Sequence, residues 1–179
     1  MGASNRSSQV ISNGGPHLSV AYEKQITISM TIFGFDKLCF NLDLKESGMA
    51  EKVYKIIKET KAEDRTLVSS FSPSRLDEFI EVSNGEILTS GSFRENVIAR
   101  YLPTKNRNFR IQALQAPFIY RGLKVHSRKL KEFCEINNLY LHIWTVNNDE
   151  DFDKCLEFGC DGIMTDEPLK LRKYLERNS

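Results

Sequence analysis

The chain has 179 residues, 40% of them hydrophobic, which is enough to bury one sizeable core in a single globular domain. Lys and Arg number 25 against 24 Asp and Glu, so the formal charge of +1 gives no basic footprint for nucleic acid. No myristoylation motif follows Met1, and the apolar stretch 26–35 is too short for a bilayer. We therefore expect no lipid anchor, no transmembrane segment and a cytoplasmic location.

The N-terminal part of the chain gives little structural signal. Residues 1–20 are rich in Ser, Asn and Gly, which predicts a disordered tail. Residues 25–33, QITISMTIF, alternate loosely and favour a strand. We interpret residues 1–35 as a flexible segment with a possible strand at 25–33, and residues 36–179 as one domain.

From residue 38 onward the pattern alternates strand and helix without long gaps, which indicates an α/β fold with a parallel sheet in chain order. Helix starts are indicated by polar caps or by proline, and Gly159 stands where a helix end favours a residue without Cβ. The helix starts are Ser47, Ser72, Ser92, Ser127, Asn148 and Pro168. Strands are predicted at Leu38–Lys45, Thr66–Phe71, Glu86–Thr89, Asn108–Leu114, Leu139–Val146 and Asp161–Thr165.

Four cysteines occur in the chain, without a CxxC pair or a neighbouring histidine cluster. They are Cys39, Cys134, Cys155 and Cys160. This spacing favours reduced and mostly buried thiols, with zinc or disulfides as the lesser alternatives.

Four short motifs resemble those of the glycerophosphodiester phosphodiesterase family, in that family's order. They are N-L-D-L-K from Asn41, the R-T-L-V-S-S-F-S-P segment from Arg65, A-L-Q-A-P from Ala113, and W-T-V-N from Trp144 with the later D-G-I-M-T-D-E-P. The resemblance implies a (β/α)8 TIM barrel. About six of its eight βα units are expected here, with the first two missing, which makes a partial barrel.

The resemblance also implies a reaction and a set of site residues. The family reaction is metal-dependent hydrolysis of a glycerophosphodiester to glycerol 3-phosphate and an alcohol. By resemblance Asp43 would bind the divalent metal, Mg²⁺ or Ca²⁺, and Lys45 the phosphate, while Trp144 would form a wall for the alcohol or glycerol. Ser70 and Gln115 would line the pocket. The alternatives left open are an ordinary Asp43–Lys45 ion pair and a Trp144 that packs in the core.

The family's catalytic histidines have no counterpart in this sequence. His17, His126 and His142 stand in no H-R-G or H-D motif, and no E-x-D pair lies on a strand. The sequence therefore predicts no catalytic residue and makes metal binding doubtful. Two alternatives to an enzyme stay open, a non-catalytic module that binds a phosphodiester or another partner, and a reading frame truncated at its 5′ end. Missing strands would also leave open sheet edges, through which a homodimer or aggregate is expected to form.

Overall fold

The computed structural model describes residues 8–12, 18–21, 38–101, 108–120, 122–125 and 127–178. Strands and helices alternate through most of these ranges, as expected for an α/β fold. The helices are α1 Ala50–Glu59, α2 Pro73–Val82, α3 Phe93–Tyr101, α4 Arg128–Ile136, α5 Asp149–Phe158 and α6 Pro168–Asn178. The strands are β1 Ser8–Ser12, β2 Leu18–Ala21, β3 Phe40–Asp43, β4 Thr66–Ser69, β5 Leu88–Thr89, β6 Ala113–Pro117, β7 Ile119–Tyr120, β8 Leu123–Lys124, β9 Tyr140–Trp144 and β10 Gly162–Thr165.

The strands that alternate with helices pair in parallel and in chain order. β3, β4 and β5 form one sheet, and β6, β9 and β10 belong to a second. A parallel bridge between Ser90 and Ala113 joins the two sheets, with the N–H of Gly91 donating to the Ala113 carbonyl at 2.8 Å. This is the pairing of a barrel built from successive βα units, with its helices on the outside.

The open edge expected beside β10 is occupied by an antiparallel hairpin. β1 pairs with β10, with Gln9 opposite Thr165, and β2 pairs with β1 and lies beside β3. The prediction of a disordered tail is therefore wrong for the residues of β1 and β2. An unpaired strand edge is a template for any extended segment that can reach it, and the hairpin uses that edge within the same chain. Residues 25–33 lie outside the described residues.

The core lies between the sheet and the helices in two clusters. One cluster packs α1 and α2 against β3 and β4, around Val53, Ile57 and Phe79. The larger cluster packs α4, α5 and α6 against β6 and β9, and Phe133 and Phe152 are fully buried in it. Each such side chain contributes about 1.5–3 kcal/mol through burial.

Several helix boundaries and cysteine states agree with the sequence. Ser72, Ser127 and Asn148 cap α2, α4 and α5 with their side chains, and Gly159 ends α5 in the left-handed conformation at φ +76°. The four cysteines are free thiols. In the part of the chain that the structure describes, no helix combines the length and apolar character needed to cross a bilayer.

Two local predictions are wrong. α1 follows Met49 without a side-chain cap, because Gly48 at φ +74° separates Ser47 from the helix. β6 begins at Ala113 and extends to Pro117, further along the chain than the predicted strand Asn108–Leu114. Its small and polar residues weaken the apolar signal by which a strand is recognised.

Candidate functional site

Alternation along the strands decides which side chains enter the barrel. Phe40 and Leu44 of the β3 segment are buried against the helices, so Asn41 and Asp43 point the opposite way. On β9, Leu141 and Ile143 belong to the helix-facing core, which places His142 and Trp144 inside. The same alternation turns Gln115 of β6 inward, because Leu114 and Ala116 are buried in that core.

Three of these inward side chains, those of Asp43, Gln115 and Trp144, line a small cavity at the C-terminal ends of the strands, the end at which barrels of this type carry their sites. Its volume is about 40 Å³, room for one or two water molecules but far below the roughly 300 Å³ or more of a typical ligand pocket. A larger ligand must therefore extend over the rim. The lining residues are Asp43, Ser69, Ser70, Phe71, Gly91, Ser92, Asn96, Gln115 and Trp144.

Asp43 and Lys45 form an ion pair at the rim of the cavity. Lys45 Nζ lies 2.5 Å from Asp43 Oδ2, with the two side chains 66% and 31% exposed. The same ammonium lies 5.8 Å from the centre of the Phe71 ring, and the Arg75 guanidinium donates to the Lys45 carbonyl. Because the pair is open to solvent, it adds little to stability and leaves a cation available at the mouth.

The hydroxyl of Ser70 is used within the protein. Its Oγ donates to the Leu44 carbonyl at 2.8 Å and accepts from the N–H of Ser72 at 3.3 Å. These bonds join the end of β4 to the β3 segment and to the start of α2. Ser70 therefore lines the cavity, and its hydroxyl acts as a brace for the cavity wall.

One amide nitrogen and one imidazole nitrogen inside the barrel are buried without a hydrogen-bond partner among the described residues. They are Nε2 of Gln115 and Nδ1 of His142, which lie on neighbouring strands in register. Burial lowers the pKa of His142 to about 4, against a weaker opposing effect of Asp161, so the imidazole is neutral at pH 7. An unpaired buried donor costs about 1–3 kcal/mol, so the amide of Gln115 is ready to bond a water or a ligand oxygen.

Gly162 makes room for the imidazole of His142. A Cβ added at Gly162 would lie 2.7 Å from Cδ2 of His142 and 3.2 Å from its Cγ. The glycine of the D-G-I-M-T-D motif thus lets the ring lie against β10. His142 is therefore a packed interior residue.

Trp144 stands at the end of β9 and meets Phe71 edge to face, with ring centres 5.8 Å apart and planes at 83°. This geometry is favourable for two aromatic rings. Trp144 thus lines the cavity and packs against Phe71 in its wall, and it is absent from the helix-facing core cluster.

Phe71, Ser92 and Asn96 line the cavity but were missed as site residues from the sequence. Ser92 was recognised only as a helix start, and there its N–H and Oγ both bond Oε2 of Glu95, at 2.8 and 2.6 Å. Asn96 follows one turn later on α3 and donates to the Ser92 carbonyl at 3.0 Å. The available signal was their spacing of four, which puts both on one side of the helix.

A divalent metal fits poorly to this set of donors. Hard cations take several carboxylate or carbonyl oxygens, whereas Asp43 is the one carboxylate among the cavity-lining residues and is paired with Lys45. Within the described ranges, no group of three or more His, Cys, Asp or Glu side chains is placed to hold a metal.

The sequence matches the model of the "Glycerophosphoryl diester phosphodiesterase family" over residues 8–170. A glycerophosphodiester phosphodiesterase of Caldanaerobacter subterraneus subsp. tengcongensis is 27% identical over 150 residues, 78% of this chain and 56% of the relative. A lysophospholipase D of Rattus norvegicus is 24% identical and is matched over 81% of this chain and 54% of its own length. The chain thus spans about half the length of these curated relatives.

The fold also resembles solved structures. The crystal structure of a glycerophosphodiester phosphodiesterase from Agrobacterium tumefaciens superposes with a TM-score of 0.61 at 11% identity, over 78% of this chain and 57% of that one. At this identity the likeness concerns the fold, which is of the TIM-barrel type. The family match begins at residue 8 and so includes the β1–β2 hairpin.

Proposed function

Because the chain belongs to the glycerophosphoryl diester phosphodiesterase family, we propose that it binds a glycerophosphodiester at the mouth of the barrel. The observation that carries this proposal is the convergence of Asp43, Gln115 and Trp144, from three separate strands, on one cavity with the Lys45 ammonium at its rim. A cation, a free amide donor and an aromatic wall are the groups that a phosphate-linked polyol or alcohol needs.

Each side chain has a distinct part in this proposal. Lys45 donates a hydrogen bond to a phosphate oxygen and loses part of its ion pair with Asp43. This loss costs little free energy because the ion pair is exposed to solvent. Gln115 Nε2 donates to a ligand oxygen that reaches the cavity, which satisfies its unpaired hydrogen. Trp144 covers the carbon skeleton with its ring. Ser70 positions the wall behind them through its bond to Leu44.

The proposal assigns binding, with little turnover, to this chain. Hydrolysis of the diester needs a base to activate water and an acid to protonate the leaving alcohol. Neutral His142 lies inside the barrel and cannot serve as an acid at pH 7, and H-R-G and H-D motifs do not occur in the sequence. Divalent metal is general in the family, but the donors around Asp43 do not fit one, so we route no step through a metal.

Hydrolysis to glycerol 3-phosphate and an alcohol is the second candidate, favoured by the family match over residues 8–170. It is tested by incubating the chain with glycerophosphocholine and Mg²⁺ or Ca²⁺ and measuring glycerol 3-phosphate by ³¹P NMR. Turnover within a hundredfold of a complete family enzyme would replace the binding proposal with a catalytic one.

Binding is tested by titrating glycerophosphocholine while following the fluorescence of Trp144, the one tryptophan of the chain. Lys45→Met should weaken binding at least about tenfold, since a charge-assisted hydrogen bond contributes about 1.5–3 kcal/mol. Lys129→Met removes an exposed lysine on α4 and is the matched control, which should bind as the unaltered chain does. An unchanged affinity in Lys45→Met, or no fluorescence response, would refute the proposal.

A further inference from the structure

Two cysteines meet at the end of helix α5, Cys155 in its last turn and Cys160 just beyond it. The N–H of Cys160 donates to the Cys155 carbonyl at 3.2 Å, and the N–H of Gly159, at φ +76°, donates to the Leu156 carbonyl at 3.0 Å. These two bonds form a Schellman motif, in which the side chains at the positions of the two cysteines commonly touch. The backbone therefore brings the two thiols together, and a hydrogen bond joins them.

The two sulfur atoms have different roles in this hydrogen bond. The Cys155 thiol donates to the Cys160 sulfur, which lowers the pKa of Cys160, and the backbone N–H of Gly162 supplies a second donor. Burial and the Asp161 carboxylate oppose this effect without cancelling it. The pKa of Cys155 is raised, because Cys155 is the donor and is buried. Cys160 therefore ionises first, and the thiolate is the nucleophilic form of cysteine.

The position of the pair limits what can reach it. Cys155 and Cys160 are 1% and 3% exposed, but Gly159 between them is exposed. Helix ends fray, and such local openings cost little free energy. Because Cys160 directly precedes the start of β10, the pair lies at the end of the barrel opposite the cavity. A small reagent can therefore reach the two sulfur atoms when the last turn of α5 opens.

We propose that Cys155 and Cys160 form a modification site that hydrogen peroxide oxidises to a disulfide. The Cys160 thiolate attacks one peroxide oxygen, so that the O–O bond breaks, a sulfenic acid forms and hydroxide leaves. The Cys155 sulfur then attacks the Cys160 sulfur, and its proton leaves with the hydroxyl group as water while an S–S bond replaces the S–O bond. The two sulfur atoms together lose two electrons, which the two peroxide oxygens gain. This site is independent of the proposed function at the barrel mouth.

The test maps the oxidised thiols by mass spectrometry. The folded chain is treated with hydrogen peroxide, the remaining thiols are alkylated in denaturant, and the chain is digested with trypsin. Cys155 and Cys160 fall in one tryptic peptide, residues 155–170, which should lose two hydrogens and resist alkylation. Cleavage after Glu157 should then leave two fragments that dithiothreitol separates. Cys134 is the matched control in the same molecule, since it is buried and its pKa is raised to about 12 by burial. The pair should oxidise at least about tenfold faster than Cys134, which stays protonated.

Two variants and an unfolded control complete the test. In Cys155→Ser, Cys160 should stop at the sulfenic acid and take up dimedone, whereas in Cys160→Ser, Cys155 should take up none. Dimedone on Cys155 in Cys160→Ser would overturn the assigned order of attack. Oxidation of the pair at the rate of Cys134 in the unaltered chain would overturn the site itself. Equal selectivity in urea would overturn it as well, because the short spacing in sequence, and not the folded helix end, would then bring the sulfur atoms together.

Discussion

Replacing Gly162 by Ala should destabilise the barrel through one contact, the contact with His142. The new Cβ would lie 2.7 Å from Cδ2 of His142, whereas carbon atoms in good contact are about 3.5–4.0 Å apart. Relief therefore requires a movement of about 0.8 Å, from 2.7 Å to about 3.5 Å, by a buried ring or by the backbone of β10. Overpacking of this kind typically costs about 1–3 kcal/mol.

Urea unfolding followed by Trp144 fluorescence measures the free energy of unfolding of Gly162→Ala. For a chain of this size a loss of about 2 kcal/mol corresponds to a melting temperature lower by roughly 4–8 °C. The same substitution in a His142→Ala background should cost under about 0.5 kcal/mol, because the three atoms nearest to the new Cβ all belong to that imidazole. The coupling free energy between the two positions should therefore be at least about 1 kcal/mol.

The His142→Ala background is the control, because any effect of alanine at position 162 on strand propensity is present both with and without the imidazole. An equal cost of Gly162→Ala with and without the imidazole would refute the explanation. The glycine would then be required by the backbone of β10 and not by the ring beside it.

Burial tends to raise the pKa of Glu95, but hydrogen bonds from Ser92 and Arg94 lower this pKa overall. The ionised Glu95 carboxylate therefore stabilises the folded state above about pH 4.5. This stabilisation is lost as the pH falls through the lowered pKa. Glu95→Gln should therefore cost about 1–3 kcal/mol at pH 7 and progressively less below pH 4.5, and a pH-independent cost in urea unfolding would contradict this. Asn148→Ala removes the side-chain cap of α5 and should lower the free energy of unfolding by about 1 kcal/mol; an unchanged urea midpoint would show that the cap is not needed. The melting temperature in Mg²⁺ or Ca²⁺ should equal the melting temperature in NaCl at the same ionic strength. A metal that binds the folded chain, at a concentration a hundredfold above its Kd, would instead raise the free energy of unfolding by about 2.7 kcal/mol.

The parts of the fold that were predictable from sequence are those decided by short-range chemistry. The end of α5 follows from Gly159, which alone among common residues takes a positive φ at no steric cost, and its start follows from the side chain of Asn148. The order of the strands follows from their alternation with helices, since parallel neighbours need such connections. The inward position of Asp43 follows from the period of two along a strand.

The parts that were not predictable depend on contacts distant in sequence. The hairpin of β1 and β2 pairs with the sheet because β10 has an unpaired edge. No local sequence pattern near Ser8–Ser12 indicates that the pairing strand lies so far along the chain. The site residues on α3 were missed for a related reason. Ser92 and Asn96 look like ordinary helix-start residues, and only the packing of α3 beside β5 and β6 turns them toward the cavity.

The pairing of β1 with β10 has a consequence for the order of events in folding. Gln9 and Thr165 become neighbours although almost the whole described chain separates them, so their contact closes the longest loop in the sheet and has a high entropic cost. During synthesis β1 can pair with β2 but not with the sheet edge at β10 until β10 has been made, whereas each βα unit can pack on the unit before it. The hairpin is therefore expected to dock last, and protection of its amides from hydrogen exchange marks completion of the barrel.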